Sequence, residues 1–135
     1  MTYKIVDIEG IGPVYGEKLV AIGIATVDQL LKKGATPKGR LEIEEATGID
    51  HGRILTWVNH ADLFRVKGIG PQFSELLEAA GVDTVKELRN RNAKNLAEKL
   101  LEVNEAKHLV RRVPVEAEVE QFIELAKKLD PVVTY

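Results

Sequence analysis

The sequence predicts an all-α fold, two tandem units of short helices packed into one compact domain. Three observations carry this reading. A stretch built on Gly-Ile-Gly-Pro occurs twice, as Ile8-Glu9-Gly10-Ile11-Gly12-Pro13 and as Val66-Lys67-Gly68-Ile69-Gly70-Pro71, and the match continues without a gap to Leu30 and Leu88. Apolar residues then recur at helical spacing, Tyr15, Leu19 and Ile22 in the first copy and Phe73, Leu77 and Ala80 in the second. Strand-like runs are confined to residues 3–6 and 132–135, too short for a sheet.

Each copy reads as follows. The two glycines of the tetrad allow a tight turn and close approach of main chain or ligand. Pro13 and Pro71 suit the first helical turn, where no amide hydrogen is needed and φ is already set. Gly23 and Gly81 fall where a helix ends on a left-handed residue. Thr26 and Thr84 are placed as N-caps of a short helix, which Leu30-Leu31 and Leu88 anchor to the core. A helix over 41–46 is ended by Gly48, and Asp50 caps the next, which carries Ile54, Trp57, Val58 and Ala61. The counterparts of those four are Val119, Phe122, Ile123 and Ala126. They lie further along than the earlier offset allows, so the second copy has gained about seven residues between Asn90 and Glu118. Helices are expected there over 95–103 and 115–129, and the repeat divides the chain into residues 1–62 and 63–135. If the two strand-like ends pair at all, they are expected to pair with each other.

Composition narrows the function. Of 135 residues, 44% are hydrophobic, which is ample for a core, and the 30% that are charged are of mixed sign. The net charge of −2 excludes a nucleic-acid binder that works by bulk charge, so any such binding must rest on local geometry. The absence of cysteine excludes disulfides, thiolate metal sites and thiol nucleophiles. No apolar run is long enough to cross a bilayer, and Met1–Asp7 lacks the apolar core of a secretory leader, so the expected compartment is the cytoplasm, without membrane association.

The Gly-Ile-Gly-Pro repeats carry a family likeness. Both copies resemble the helix-hairpin-helix motif, whose core is apolar-x-Gly-apolar-Gly followed by a helix with a small residue near its start, here Gly16 and Ser74. The second copy looks like the hairpin region of X-family repair DNA polymerases. There too the hairpin leads to a stretch like Gly81-Val82-Asp83-Thr84-Val85-Lys86-Glu87-Leu88-Arg89, and later to one like Arg111-Arg112-Val113-Pro114. Nearly end to end, the chain is similar to a bacterial family of tandem hairpin proteins, domain of unknown function 4332. Asp62-Leu63, Asn104-Glu105 and Leu109-Val110-Arg111-Arg112 carry that likeness. The fold implied is a hairpin fold of the SAM and polymerase type.

The resemblance implies phosphate contacts from main-chain amides, since free amides at a helix N-terminus face an anion along a favourable dipole. The matching positions are Gly10, Gly12, Val14 and Tyr15 in the first hairpin and Gly68, Gly70, Gln72 and Phe73 in the second. It also implies a monovalent cation, K+ or Na+, on the carbonyls of Phe64, Val66 and Ile69, or of Val6, Ile8 and Ile11. Backbone contacts of this kind position a protein without reading sequence. The chain departs from the polymerases where they carry basic side chains just after the hairpin: it has Glu17 and Lys18, and Glu75 and Leu76.

Other charged groups read less sharply. Lys86, Arg89, Arg91 and Lys94 cluster on a short helix and its following loop, with Lys107, Arg111 and Arg112 as a second group. They are either a phosphate patch or a solvated face, and Glu98, Glu102 and Glu105 lie among them. Trp57 and Phe122 belong to apolar stripes and are expected in the core. His51, His60 and His108 show no metal-ligand spacing, no catalytic constellation is legible, and no cofactor beyond the hairpin cation is expected. The sequence therefore points to a non-catalytic binder of DNA or RNA backbone, an accessory to repair or recombination. Its alternatives are a protein-interaction or self-assembly module that has lost that ligand and, third, a helical pocket for a small anion or cofactor; the oligomeric state is left open.

Overall fold

The computed structural model describes residues 3–135; Met1 and Thr2, the start of the segment read above for a leader, lie outside it. A short 3-10 turn, Ile5–Asp7, precedes eight helices. These are α1 (Pro13–Ala21), α2 (Val27–Gly34), α3 (Pro37–Thr47), α4 (His51–Leu63), α5 (Pro71–Ala79), α6 (Val85–Leu88), α7 (Ala93–Lys107) and α8 (Glu116–Lys127). Among the described residues the only β-type pairing is an isolated antiparallel bridge between Lys4 and Thr26, so the fold is all-α. The chain divides into two compact units. One has its main stretch end at Asp62 and takes in Val132–Tyr135; the other is Leu63–Pro131. The four C-terminal residues thus group with the first unit, not with the stretch that precedes them.

The same local devices shape both units. α1 ends on Gly23 at φ +90°, whose amide donates to the Val20 carbonyl while that of Ile24 reaches back to Leu19. α5 ends on Gly81 at φ +95°, with the matching bonds from Gly81 to Glu78 and from Val82 to Leu77. These paired bonds satisfy carbonyls that the helix end leaves open. Thr26 and Thr84 then cap α2 and α6, each hydroxyl accepting an amide 3.2 Å away, from Gln29 and Glu87. Gly48 closes α3 in the left-handed conformation, and an Asp50 carboxylate oxygen accepts the Arg53 amide at the start of α4.

Each core fills from these stripes. In the first unit Leu19, Leu30, Ile43 and Ile54 are fully buried, and Trp57 is nearly so. In the second, Leu76, Leu88, Leu100 and Val119 form the centre of a continuous apolar cluster that also holds Phe122. α7 packs on α5 and α8, and α6 on α8. Trp57 and Phe122 are core residues, as their spacing indicated.

Three expectations need correction. Ile22 does not extend the α1 stripe into the core: α1 stops at Ala21, and after the left-handed Gly23 it is Ile24 that turns inward. The second-copy helices have different bounds, because Asn92 caps α7 early and His108, at φ +51°, ends it late. The added residues lengthen α7 to 15 against 11 in α3 and build the following loop. There the Asn104 side chain closes on both the amide and the carbonyl of Val110.

Finally, the ends do not pair with each other among the described residues. Ile5 donates to Ala25 and Val27 to Tyr3, because the extended N-cap at Thr26 presents a strand-like edge. Thr134 donates instead to Ala35 (2.8 Å), and its carbonyl accepts Nη2 of Arg40 (2.6 Å). Arg40 is buried, gives Nη1 to the Gly34 carbonyl and lies over the Tyr135 ring, so carbonyls and an aromatic face offset part of its burial, while its Nε is buried without a hydrogen-bond partner among the described residues. Burial nonetheless holds its guanidinium below the usual arginine value.

Candidate functional site

The two Gly-Ile-Gly-Pro stretches adopt closely related glycine turns. In the first, Gly10 is at φ +90° and the Ile11 amide donates to the Ile8 carbonyl (3.3 Å). In the second, Gly68 is at φ +96° and Ile69 donates to Val66 (3.0 Å). Ile11 and Ile69 plug the cores, which turns the flanking main chain outward. The small residue of the pattern has a steric reason in each copy. A Cβ on Gly16 would stand 2.7 Å from Val6 Cγ1, and Ser74 is fully buried with its hydroxyl donating to the Pro71 carbonyl.

α1 and α5 begin without side-chain caps. α2, α3, α6 and α7 start on Thr26, Thr36, Thr84 and Asn92, each accepting an amide of its own first turn. Gly12 and Gly70 have nothing to offer in that role, and the first intrahelical bonds close only at Gly16 and Ser74. Among the described residues no acceptor meets the amides of Val14 and Tyr15 or of Gln72 and Phe73. Val14 is 67% exposed and Gln72 is exposed, whereas Tyr15 and Phe73 are half-buried. The two N-caps differ in one respect: Gly12 needs φ +47°, whereas Gly70 is extended at −116°.

An arginine covers each turn. The Tyr15 ring packs on Trp57 (5.3 Å between centroids) and carries the Arg53 guanidinium on its face at 5.6 Å. The Phe73 ring packs on Phe122 (6.2 Å) and carries Arg112 at 5.7 Å. Among the described residues the Arg53 guanidinium has no carboxylate partner, whereas that of Arg112 is held in a two-pronged pair by Glu118, at 2.5 and 3.0 Å. That pair raises the Arg112 pKa and lowers the Glu118 pKa, the hydrogen bond being the larger cause for both.

The side chains preceding the turns have opposite sign. Asp7 and Glu9 precede the first turn and line a cavity of about 350 Å3 with Val6, Ile8, Gly10 and Gly12. At the equivalent positions the second turn has Arg65 and Lys67. Lys67 is exposed, and Arg65 donates to the Asp130 carbonyl. Glu75, the acidic residue just beyond the second turn, is half-buried and engaged within the fold.

Of the basic residues singled out from sequence, only Arg112 is placed against a glycine turn. Lys86, Lys94, Lys107 and Arg111 are exposed elsewhere, and Lys94 lies on the first turn of α7, not in the loop before it. Arg91 is committed to Glu87 and to the Gly81 carbonyl, and Arg89 approaches the Lys127 carbonyl. Among the candidate cation ligands, the Ile8 and Val66 carbonyls already accept a turn amide, each with a second lone pair remaining. No group of three or more His, Cys, Asp or Glu that could hold a metal ion occurs among the described residues. No helix there is long and apolar enough to cross a membrane.

Sequence reasoning missed Arg53. It stands alone in its helix, and the signal that could have found it is its position one turn before Trp57, the partner of the Tyr15 ring. Comparison with protein-family models matches residues 9–129 to the model described as Domain of unknown function (DUF4332). No curated protein and no solved structure matches the chain.

Proposed function

The chain belongs to the DUF4332 family, domains of unknown function, and we propose that it is a non-catalytic helix-hairpin-helix module that grips nucleic-acid backbone through its second glycine turn without reading sequence. The observation that carries this reading is a helix start with uncapped amides, preceded by an exposed lysine and flanked by an arginine that is paired with Glu118. The Gln72 and Phe73 amides open α5, Lys67 precedes them, and Arg112 lies over Phe73. A phosphate there would gain the helix dipole and charge-assisted hydrogen bonds together. A K+ or Na+ ion on the Phe64, Val66 and Ile69 carbonyls belongs to the same reading, as does a role beside repair or recombination enzymes.

Fluorescence polarisation with labelled duplex, junction and single strand tests it. Binding is expected with Kd in the range of roughly 10−4 to 10−6 M, falling with salt at a log–log slope of about 0.9 per phosphate engaged on duplex. Lys67→Glu with Gln72→Glu, both at exposed positions, should weaken it by at least about tenfold, or 1.4 kcal/mol, with unchanged circular dichroism. No binding of any form at roughly 100 μM protein in low salt would remove the proposal.

A second reading applies to the first turn. Val6, 49% exposed, lines the same cavity as Asp7 and Glu9, and Val14 at the start of α1 is 67% exposed, a combination suited to a basic protein surface and hostile to phosphate. Light scattering and co-purification test it, and a monomer that retains no partner counts against it.

A further inference from the structure

A separate concavity of about 320 Å3 opens in the second unit beside the N-terminal half of α7. Asn92, Asn95, Leu96 and Lys99 stand at i, i+3, i+4 and i+7, so one helical stripe makes the wall. Ala80, Asn90 and Arg91 complete it from the end of the α5–α6 segment, Asn90 giving its Nδ2 to the Lys86 carbonyl. Leu96 and Ala80 are buried and give an apolar floor. The rim is amide and cationic, and no carboxylate lines it. Arg91 is fixed by Glu87 and the Gly81 carbonyl, while Lys99 is exposed and has no ion-pair partner among the described residues.

We propose that this concavity is a nucleotide site. Lys99 meets the phosphate, with Arg91 held behind it by Glu87; the Asn95 side chain, which keeps its donor pair and its acceptor, and the Asn92 Nδ2, whose own Oδ1 caps α7, meet the hydrogen-bonding edge of an unpaired base. The volume falls within the range of small-ligand sites, and the cationic rim selects an anionic ligand. The same chemistry is offered by a free mononucleotide and by an unpaired nucleotide in a strand. The site is independent of the glycine turn: α5, about 13 Å long, runs from Pro71 at the turn to its end just before Ala80.

The test is an amide-resolved NMR titration of the full chain with adenosine monophosphate, with inorganic phosphate and a short single-stranded oligonucleotide in parallel. The expected result is Kd below about 1 mM for the nucleotide. Shifts should centre on Asn92, Asn95 and Lys99, and phosphate alone should bind several-fold more weakly. Asn95→Leu with Lys99→Gln should lower the affinity at least tenfold, Lys99→Arg should keep it, and Lys67→Glu should leave it unchanged. A tighter oligonucleotide assigns the site to a strand, and equal affinity assigns it to the free nucleotide. Absence of shifts at about 10 mM nucleotide, equal response to phosphate, or a double variant that binds normally overturns the proposal. None of those results touches duplex binding at the glycine turn.

Discussion

Position for position, the first and second glycine turns present nearly the same main chain and opposite side chains. Both place a left-handed glycine before a buried isoleucine, start a nine-residue helix on proline, and leave its first amides uncapped. Yet Asp7 and Glu9 precede one, and Arg65 and Lys67 the other. The main chain is held by sterics: few residues other than glycine tolerate these φ values, and the isoleucine must fill the core. Exposed charges answer to no such constraint, so two copies can keep one turn and diverge in what approaches it.

The arginines show the converse, a placement reached by different residues. Arg53 sits in the first turn of α4 and lies on Tyr15 directly. The repeat puts Glu118 at that position in the second unit, and Glu118 draws Arg112 in from the preceding loop onto Phe73. A guanidinium covers each aromatic ring by a separate route, one uncompensated and one neutralised.

The largest expected effect tests whether the two turns are equally tight. Alanine at Gly10 or Gly68 meets the same left-handed backbone, at a cost of about 1–2 kcal/mol. At Gly68 the new Cβ would also stand 2.9 Å from Phe122 Cε1, whereas at Gly10 the nearest atom, Trp57 Nε1, is 3.6 Å away. Overpacking adds about 1–3 kcal/mol, so Gly68→Ala should destabilise clearly more than Gly10→Ala in urea unfolding. Equal losses would mean that the Phe122 ring swings aside and the turns are interchangeable.

Next in size is the charge reversal. Lys67→Glu should weaken binding to duplex by about tenfold, close to 1.4 kcal/mol. Glu9→Lys should strengthen it and steepen the salt dependence, by about 0.9 if the first turn then takes a phosphate. A null result for Glu9→Lys alongside a loss for Lys67→Glu would show that more than the side-chain sign separates the turns. The left-handed Gly12 against the extended Gly70, Asp7 against Arg65, and Arg53 against the Arg112–Glu118 pair are then the remaining differences.

These variants rest on features of unequal legibility. The turns, the threonine caps and the glycine helix ends could be read directly, because each uses a residue type that local geometry nearly demands. The charge contrast was also present in the alignment of Asp7 with Arg65 and Glu9 with Lys67. It is obscured when residues are grouped by nearness in sequence, as in the set from Lys86 to Lys94. Folding splits that set, sending Arg91 to Glu87 and placing Lys94 on the next helix. Arg53 and the C-terminal residues held by Arg40 were hidden for another reason. Their contacts span 38 to 99 residues, and no local pattern encodes such pairings.

A smaller effect should come from the arginines themselves. Arg53→Gln and Arg112→Gln remove the covering cation from the first and second turn respectively. On the proposed reading Arg112→Gln weakens duplex binding a few-fold, while Arg53→Gln leaves it within error. The reverse order in a polarisation titration would move the interface to the first turn.

The smallest effect is acid-dependent and separates the two ways of holding a guanidinium. The Glu118 carboxyl is kept below the usual carboxylate range by the Arg112 hydrogen bond first and the Val115 amide second. A group depressed in the folded state contributes its full interaction above its unfolded pKa, about 4.3 for glutamate, and loses it as pH falls through the lower folded value. Acidification into that window should therefore free Arg112 and leave the Arg53 guanidinium, which has no carboxylate partner among the described residues, in place. Side-chain Nε–H resonances followed by NMR would report it: Arg112 should titrate below the ordinary glutamate range and Arg53 should stay flat. Glu118→Gln should abolish the transition and give Arg112 its acid-form resonance at neutral pH. If Arg53 titrates alongside, a carboxylate holds it as well, and the contrast between the two units is one of sequence position alone.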